Sequence, residues 1–214
     1  MARLLKISPD VSRESILHDA ATILLDGGAV AYPTETFYGL GVDATSESAV
    51  CRIFDIKGRN FKNPVSVIIG SIDQLAPIVS AIPPSAQKLM DTFWPGPLTI
   101  VFKASDRMSQ VLTAGTGKIG VRLSSHDFAR QLALETGRPI TATSANLSGA
   151  PECATADDVI RQLGDKIDAV IDLEERGGAI GSTIVDATTD PLVILRSGLI
   201  TAEDIQRKTG LSRG

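Results

Sequence analysis

The run Ala29-Val30-Ala31-Tyr32, closed by Pro33, constrains this chain more than any other stretch. Four consecutive apolar residues read as a short buried strand, and a proline, having no N–H to add to a ladder, ends it. Thr34, Glu35 and Thr36 are thereby set out at a strand end, which is where open α/β sheets keep their ligands. Gly39 and Gly41 follow, allowing positive φ or close backbone approach. From Ser46 to Lys57 the spacing of Val50, Ile53 and Phe54 predicts a helix with Ser46 as N-cap.

That helix ends by presenting Lys57 and Arg59 together. With Arg52 and Lys62 added, and only Glu47 and Asp55 opposing, the segment is locally positive in a chain whose formal charge is −4. Two uses fit such a patch: it complements the helix dipole in solvent, or it holds a phosphate. In the second case Lys57 lies outside the core, and its truncation is expected to leave stability nearly unchanged.

At 214 residues and 43% apolar content the chain can bury a real core, and its length suits a single domain over residues 1–214. The acidic balance argues against a protein that coats nucleic acid and favours a small-molecule substrate. The opening Met1 to Lys6 is too short an apolar run for a signal peptide, and no stretch approaches the roughly 20 apolar residues of a membrane span, so a cytoplasmic protein without membrane contact is expected. Cys51, on the inner face of its helix, and Cys153 read as reduced and structural.

Along the chain, Leu4 to Ile7 reads as a strand, and Ser12 caps a helix through Leu25 with an apolar stripe of Ile16, Leu17, Ala20, Ala21 and Leu24. His18 in that helix has no second ligand at metal spacing and reads as a surface residue. Val65 to Ile69 is a β-branched strand, Ser71 to Gln74 has the form of a capping box, and a helix runs from Pro84 to Phe93. Trp94, in a proline-locked turn, reads as a structural plug in preference to a stacking platform. Leu98 to Phe102 is the next strand. Gly115 to Gly120 satisfies the bare dinucleotide-loop pattern but runs into a strand instead of opening a helix, and no P-loop occurs.

Arg122, at the end of the Ile119 to Leu123 strand, suits either a carboxylate or phosphate ligand or a salt bridge to Glu135 or a similar residue. His126 starts a helix from Asp127 to Glu135, where it suits capping as well as catalysis. Ile140 to Gly149 is a strand running into Thr143, Ser144 and Asn146, small hydrogen-bonding groups that suit phosphate and ribose oxygens or an ordinary polar turn. Thr155 caps a helix through Leu163, Ala169 to Asp172 is a strand, and Gly181-Ser182-Thr183 turns into another. Leu192 to Leu195 ends at Arg196, and Thr201 caps a last helix that stops near Gly210.

Three clusters therefore stand at element ends: Lys57 with Arg59, Thr143-Ser144-Ala145-Asn146, and Ser182 with Arg196. Brought to one cleft, they would bind a polyanion and a second molecule carrying its own carboxylate. No Ser-His-acid set, metal cage or carboxylate pair is evident, so the implied chemistry is positioning and charge stabilisation.

Tyr32-Pro33-Thr34-Glu35-Thr36, then Tyr38-Gly39-Leu40-Gly41, then Lys57-Gly58-Arg59 resemble the opening signature of the YrdC/Sua5/YciO family. The resemblance implies a twisted mixed parallel and antiparallel open sheet flanked by helices, with a basic concave cleft, in a short form without a further C-terminal domain. It also implies synthesis of threonylcarbamoyl-AMP and pyrophosphate from L-threonine, bicarbonate and ATP with Mg²⁺. Passage of the product to position 37 of tRNA, through a tRNA threonylcarbamoyl transferase complex, would follow. Carried over, the resemblance makes Lys57 and Arg59 catalytic and gives ATP binding to those two with Asn63, Thr143, Ser144, Asn146 and Arg196. Thr34, Arg122 and Ser182 would line the threonine pocket. Two positions depart from many members: Asn60 replaces a proline after the Lys-x-Arg motif, and Ile68 stands where a histidine near threonine is expected. A YciO-like paralogue with weak or no synthesis, and a module binding tRNA or double-stranded RNA, are the alternative readings.

Overall fold

The computed structural model describes residues 1–174, 177–178 and 180–211. The elements run β1 (Arg3–Lys6), α1 (Arg13–Leu25), β2 (Val30–Tyr32), β3 (Gly39–Gly41), α2 (Glu47–Lys57), β4 (Val67–Ile69), α3 (Pro84–Phe93), β5 (Leu98–Lys103) and α4 (Gln110–Thr113). They continue β6 (Lys118–Leu123), α5 (Asp127–Glu135), β7 (Ile140–Thr141), β8 (Thr143–Ser144), α6 (Ala156–Leu163), β9 (Ala169–Asp172), β10 (Thr183–Asp186), β11 (Val193–Arg196) and α7 (Ala202–Thr209). Among the described residues no helix is long and apolar enough to cross a membrane.

The strands form mixed sheets flanked by helices, divided into two: a five-stranded sheet in the order β1-β9-β2-β3-β8 and a six-stranded one in the order β11-β10-β5-β6-β4-β7. They meet along the chain from Ile140 to Ser144. Its first half pairs antiparallel with β4, Val67 opposite Thr141, and its second half with β3, Gly39 opposite Ser144. Thr141 ties the junction: its N–H bonds Val42 O at 3.0 Å, its hydroxyl donates to Leu40 O at 2.9 Å, and its carbonyl accepts from Tyr32 Oη at 2.8 Å.

Short strands buried on both faces sort their side chains by the two-residue period. Val30 and Tyr32 join a cluster under α1 and α5, whereas Ala31 between them points into the larger core that also holds α2, α3 and α6. β4 divides likewise, with Val67 and Ile69 in the larger core and Ile68 under α1 and α5. Ile68 is fully buried there and cannot reach a ligand, so the departure from the expected histidine falls on a core position.

Local chemistry sets most ends as the sequence suggests. Ser12, Ser46 and Thr155 each accept a first-turn N–H, and Thr155 completes a capping box with Asp158. Gly58 ends α2 at φ +60°, a left-handed position that a side chain would strain. The box expected at Ser71 does not form. Residues Ile72–Gln74 make a single 3₁₀ turn without a side-chain cap, because Gln74 spends its amide on Gly70 N and Ala133 O. Cys51 is half-buried instead of fully inward, and Trp94 is the expected plug, donating to Leu98 O at 2.7 Å.

Gly39 and Gly41 serve close approach. A Cβ on Gly41 would stand 2.7 Å from the Tyr32 ring and one on Gly39 2.9 Å from it. Gly41→Ala is therefore expected to cost about 1–3 kcal/mol by overpacking, read from urea unfolding; a variant as stable as the parent would show that the ring yields freely.

Candidate functional site

A cleft of about 410 Å³ opens beside the junction of the two sheets. It takes Lys57 and Arg59 from the end of α2, Arg122 from β6, Thr143 and Ser144 from β8, Ser182 from the turn before β10, and Arg196 from β11. Asn63 and Asn146 also line it. The three clusters, distant in sequence, converge because their elements end at this junction. Among the described residues four cations face one lining carboxylate, Glu152, so the cleft is positive within an acidic chain. Such a site draws in anions.

The cations are held differently. Lys57 is only 5% exposed, and its Nζ donates to Ser144 O, to Asn146 O at 2.8 Å and to Asn146 Oδ1 at 3.0 Å. All three ammonium donors are thus used. Asn146 Oδ1 also accepts from Ser144 Oγ at 2.6 Å, and its Nδ2 donates to Ala150 O at 2.6 Å. Lys57 consequently fastens α2 to the Thr143–Asn146 segment and gives the cleft its charge, not a free hydrogen bond. Burial, reinforced by the Arg59 guanidinium, pulls its pKa down to about 8. The expectation that Lys57 lies outside the core is corrected: the ammonium is buried because carbonyl oxygens satisfy it.

Arg59 donates to Thr143 Oγ1 at 3.2 Å and to Pro64 O at 3.0 Å, and Arg196 reaches Ser182 O and Ser182 Oγ, each at 2.8 Å. Ser182 Oγ also lies 3.1 Å from Thr99 Oγ1, a hydroxyl on β5 that joins the lining. Arg122, 5% exposed, gives one hydrogen bond among the described residues, to Thr36 Oγ1 at 3.2 Å. Its acidic neighbour is Glu35 at 3.8 Å, whereas Glu135 instead meets His18 at the surface.

Thr34 is displaced from the role expected of it. Its hydroxyl bonds Thr36 Oγ1 at 3.0 Å and donates to Phe37 O at 2.6 Å, which leaves it behind the wall while Thr36 lines the cleft. Arg52 turns away to Gly27 O and Asp168, and it and Lys62 contribute no lining. Asn60 shapes the turn into Asn63, accepting from Lys62 N and Asn63 N. Ser66, Thr99 and Glu152 line the cleft without any motif in the sequence to mark them. Strand alternation puts Ser66 on the face of Ile68, but where α1 and α5 no longer cover the sheet.

Residues 22–198 match the family model Sua5_yciO_yrdC, described as "Telomere recombination". The chain is similar to threonylcarbamoyl-AMP synthase of Pyrococcus abyssi, 41% identical over 191 residues, 89% of this chain and 56% of the relative. It therefore spans little more than half the length of that protein. Threonylcarbamoyl-AMP synthase of Vibrio parahaemolyticus is 37% identical over 82% of this chain and 95% of the relative. The crystal structure of P. abyssi Sua5 complexed with L-threonine superposes with a TM-score of 0.92 at 37% identity, covering all of this chain and 62% of the other.

Lys57→Ala removes a charged donor from three carbonyl oxygens and is expected to lower stability by about 3 kcal/mol. Denaturant unfolding checks this; parental stability would show that the three oxygens find other partners and that Lys57 is not a structural tie.

Proposed function

The chain belongs to the Sua5/YciO/YrdC family, and from that premise we propose that it is a threonylcarbamoyl-AMP synthase, a nucleotidyltransferase that condenses L-threonine, bicarbonate and ATP with release of pyrophosphate. The observation that carries this reading is the convergence of Lys57, Arg59, Arg122 and Arg196, with one opposing carboxylate among the described residues, on a single cleft rich in hydroxyls. A triphosphate and an amino-acid carboxylate fit such a site; a nucleophilic triad is not required.

In this reading Arg59, reinforced by the charge of Lys57, holds the triphosphate, with Thr143, Ser144, Asn146 and Asn63 around the nucleotide and Arg196 on its outer side. Arg122 takes the threonine carboxylate, helped by the Ser182 hydroxyl and by Thr36, which Thr34 braces. With both substrates fixed, the threonine amine bonds the bicarbonate carbon with loss of water, and the carbamate oxygen so formed attacks the α-phosphorus, breaking its bond to the bridging oxygen and expelling pyrophosphate. The protein contributes orientation and neutralisation of charge. Mg²⁺ carried by the triphosphate would shield its charge; the Glu152 carboxylate and hydroxyls such as those of Thr143 and Ser144 could offer it oxygen, which suits a metal brought by the nucleotide better than a protein cage. The product passes to a tRNA threonylcarbamoyl transferase complex for position 37 of tRNA, which sets the reaction in the cytoplasm.

Mass spectrometry of the protein with ATP, Mg²⁺, bicarbonate and L-threonine is expected to show threonylcarbamoyl-AMP and pyrophosphate, both dependent on threonine. ATP binding with no such product would move the chain to a YciO-like role. If instead tRNA binds with a steep salt dependence and no product forms, the RNA-binding module is correct.

The depressed Lys57 pKa adds a pH dependence. Below about 8 the ammonium is charged; above it the neutral amine has two N–H groups for three carbonyl acceptors, and the cleft loses a positive charge. ATP affinity should therefore fall as pH rises from about 7 to about 9, and calorimetry should detect proton uptake on binding near the midpoint, because the triphosphate favours the ammonium. An affinity constant across that interval would remove Lys57 from the phosphate site.

A further inference from the structure

Arg122 differs from the other cleft cations in its company. Lys57, Arg59 and Arg196 give their N–H groups to uncharged oxygens, of Ser144 and Asn146, of Thr143 and Pro64, and of Ser182. Among the described residues Arg122 alone of the four has a carboxylate within 4.0 Å: Glu35 Oε1, 3.8 Å from its Nη1. Both side chains are largely shielded, 7% and 14% exposed, so solvent screens the pair little.

Glu35 does not itself line the cleft. It is anchored from behind, where Ser124 Oγ donates to Oε2 and Ser125 N to Oε1 at 3.4 Å. Thr36, next in sequence, accepts from Arg122 on the cleft side. Arg122 is thus presented with its orientation set by Thr36 and its charge compensated by Glu35.

We propose that Glu35 is a specificity-determining residue: it compensates Arg122 so that this corner accepts the carboxylate of a zwitterionic amino acid and rejects phosphate, leaving the triphosphate to Lys57 and Arg59. This rests on the reading of the cleft as a site for threonine and ATP. A multiply charged phosphate close to Arg122 also meets the field of Glu35 in a weakly screened environment, and the attraction is largely cancelled. An amino acid brings one negative charge with a positive charge beside it, keeps the hydrogen bonds of the guanidinium, and is penalised less. The partition matters because both substrates carry an anionic group into the same cleft and either could occupy the other's cation.

Glu35→Gln tests this, since it keeps the chain length and one acceptor oxygen, which can serve Ser125 N while the amide NH2 faces the Ser124 hydroxyl, and removes the charge. Calorimetry with L-threonine and with inorganic phosphate on the nucleotide-free protein, and phosphate inhibition of product formation, supply the readouts. In the variant phosphate is expected to bind on the order of tenfold tighter and to compete with threonine, with the melting temperature little changed. Loss of a purely structural residue would weaken both ligands together. Glu35→Asp, which draws the charge back by one methylene, should show a gain of a few-fold and decides the matter if the Gln variant does not fold. If the parent binds threonine and makes product while the variants keep its preference for threonine over phosphate, the role of Glu35 is overturned and the functional reading stands. If the parent neither binds threonine nor makes product, the functional reading fails and takes this role with it.

Discussion

The structure depends on one strand that serves two sheets. From Ile140 to Ser144 the chain pairs first with β4 and then with β3; the buried Thr141 bonds Leu40, Val42 and Tyr32 on one side, and its neighbour Ala142 donates to Ser66 O on the other. Backbone groups inside a core must find partners, and a strand that leaves one ladder can remain buried only by joining another. Where it crosses, the sheets part, and the cleft lies in that opening. Gly39 and Gly41 let β3 pass across the ring of Tyr32, whose hydroxyl holds Thr141.

Lys57 makes the opening stable. The polar segment from Ser144 to Asn146 leaves oxygens needing donors, and the ammonium at the end of α2 satisfies three at once. Burying that charge is expensive, and the lowered pKa is its sign; the surrounding carbonyls, and in the proposed function a triphosphate, offset the cost. The same residue is therefore both a structural tie and a source of field. Arg122 shows the opposite balance. Among the described residues it gives one hydrogen bond, to Thr36, and its charge is balanced instead by Glu35 behind it.

Much of the fold is legible in the chain itself because it is local. The helix starts at Ser12, Ser46 and Thr155, the proline after Tyr32 and the glycine after Lys57 each act over a few residues, and the structure has them as the residues imply. Ser71 shows the limit of that legibility. Its capping pattern is correct in composition, yet Gln74 is drawn to Ala133, a residue far away in sequence, and the box does not form. The candidate site behaves in the same way. Arg59, Arg122, Ser182 and Arg196 line the cleft where element ends suggest, but Thr34 and Thr36 have the same chemistry and only the turn between them decides which one faces outward.

The sequence by itself determined most of the strands and helices and many of their ends, though not β3, α4 or the turn after Ser71, and that basic and hydroxyl groups gather at those ends, because capping, proline and glycine geometry and hydrophobic period are properties of neighbouring residues. Only the tertiary structure decided that the strands divide between two sheets, that Lys57 is enclosed by carbonyls, that Ser66 meets the cleft while Ile68 meets the core, and that Glu35 stands behind Arg122. Those outcomes arise from contacts between residues tens of positions apart, and their geometry exists only once the strand from Ile140 to Ser144 has joined the two sheets.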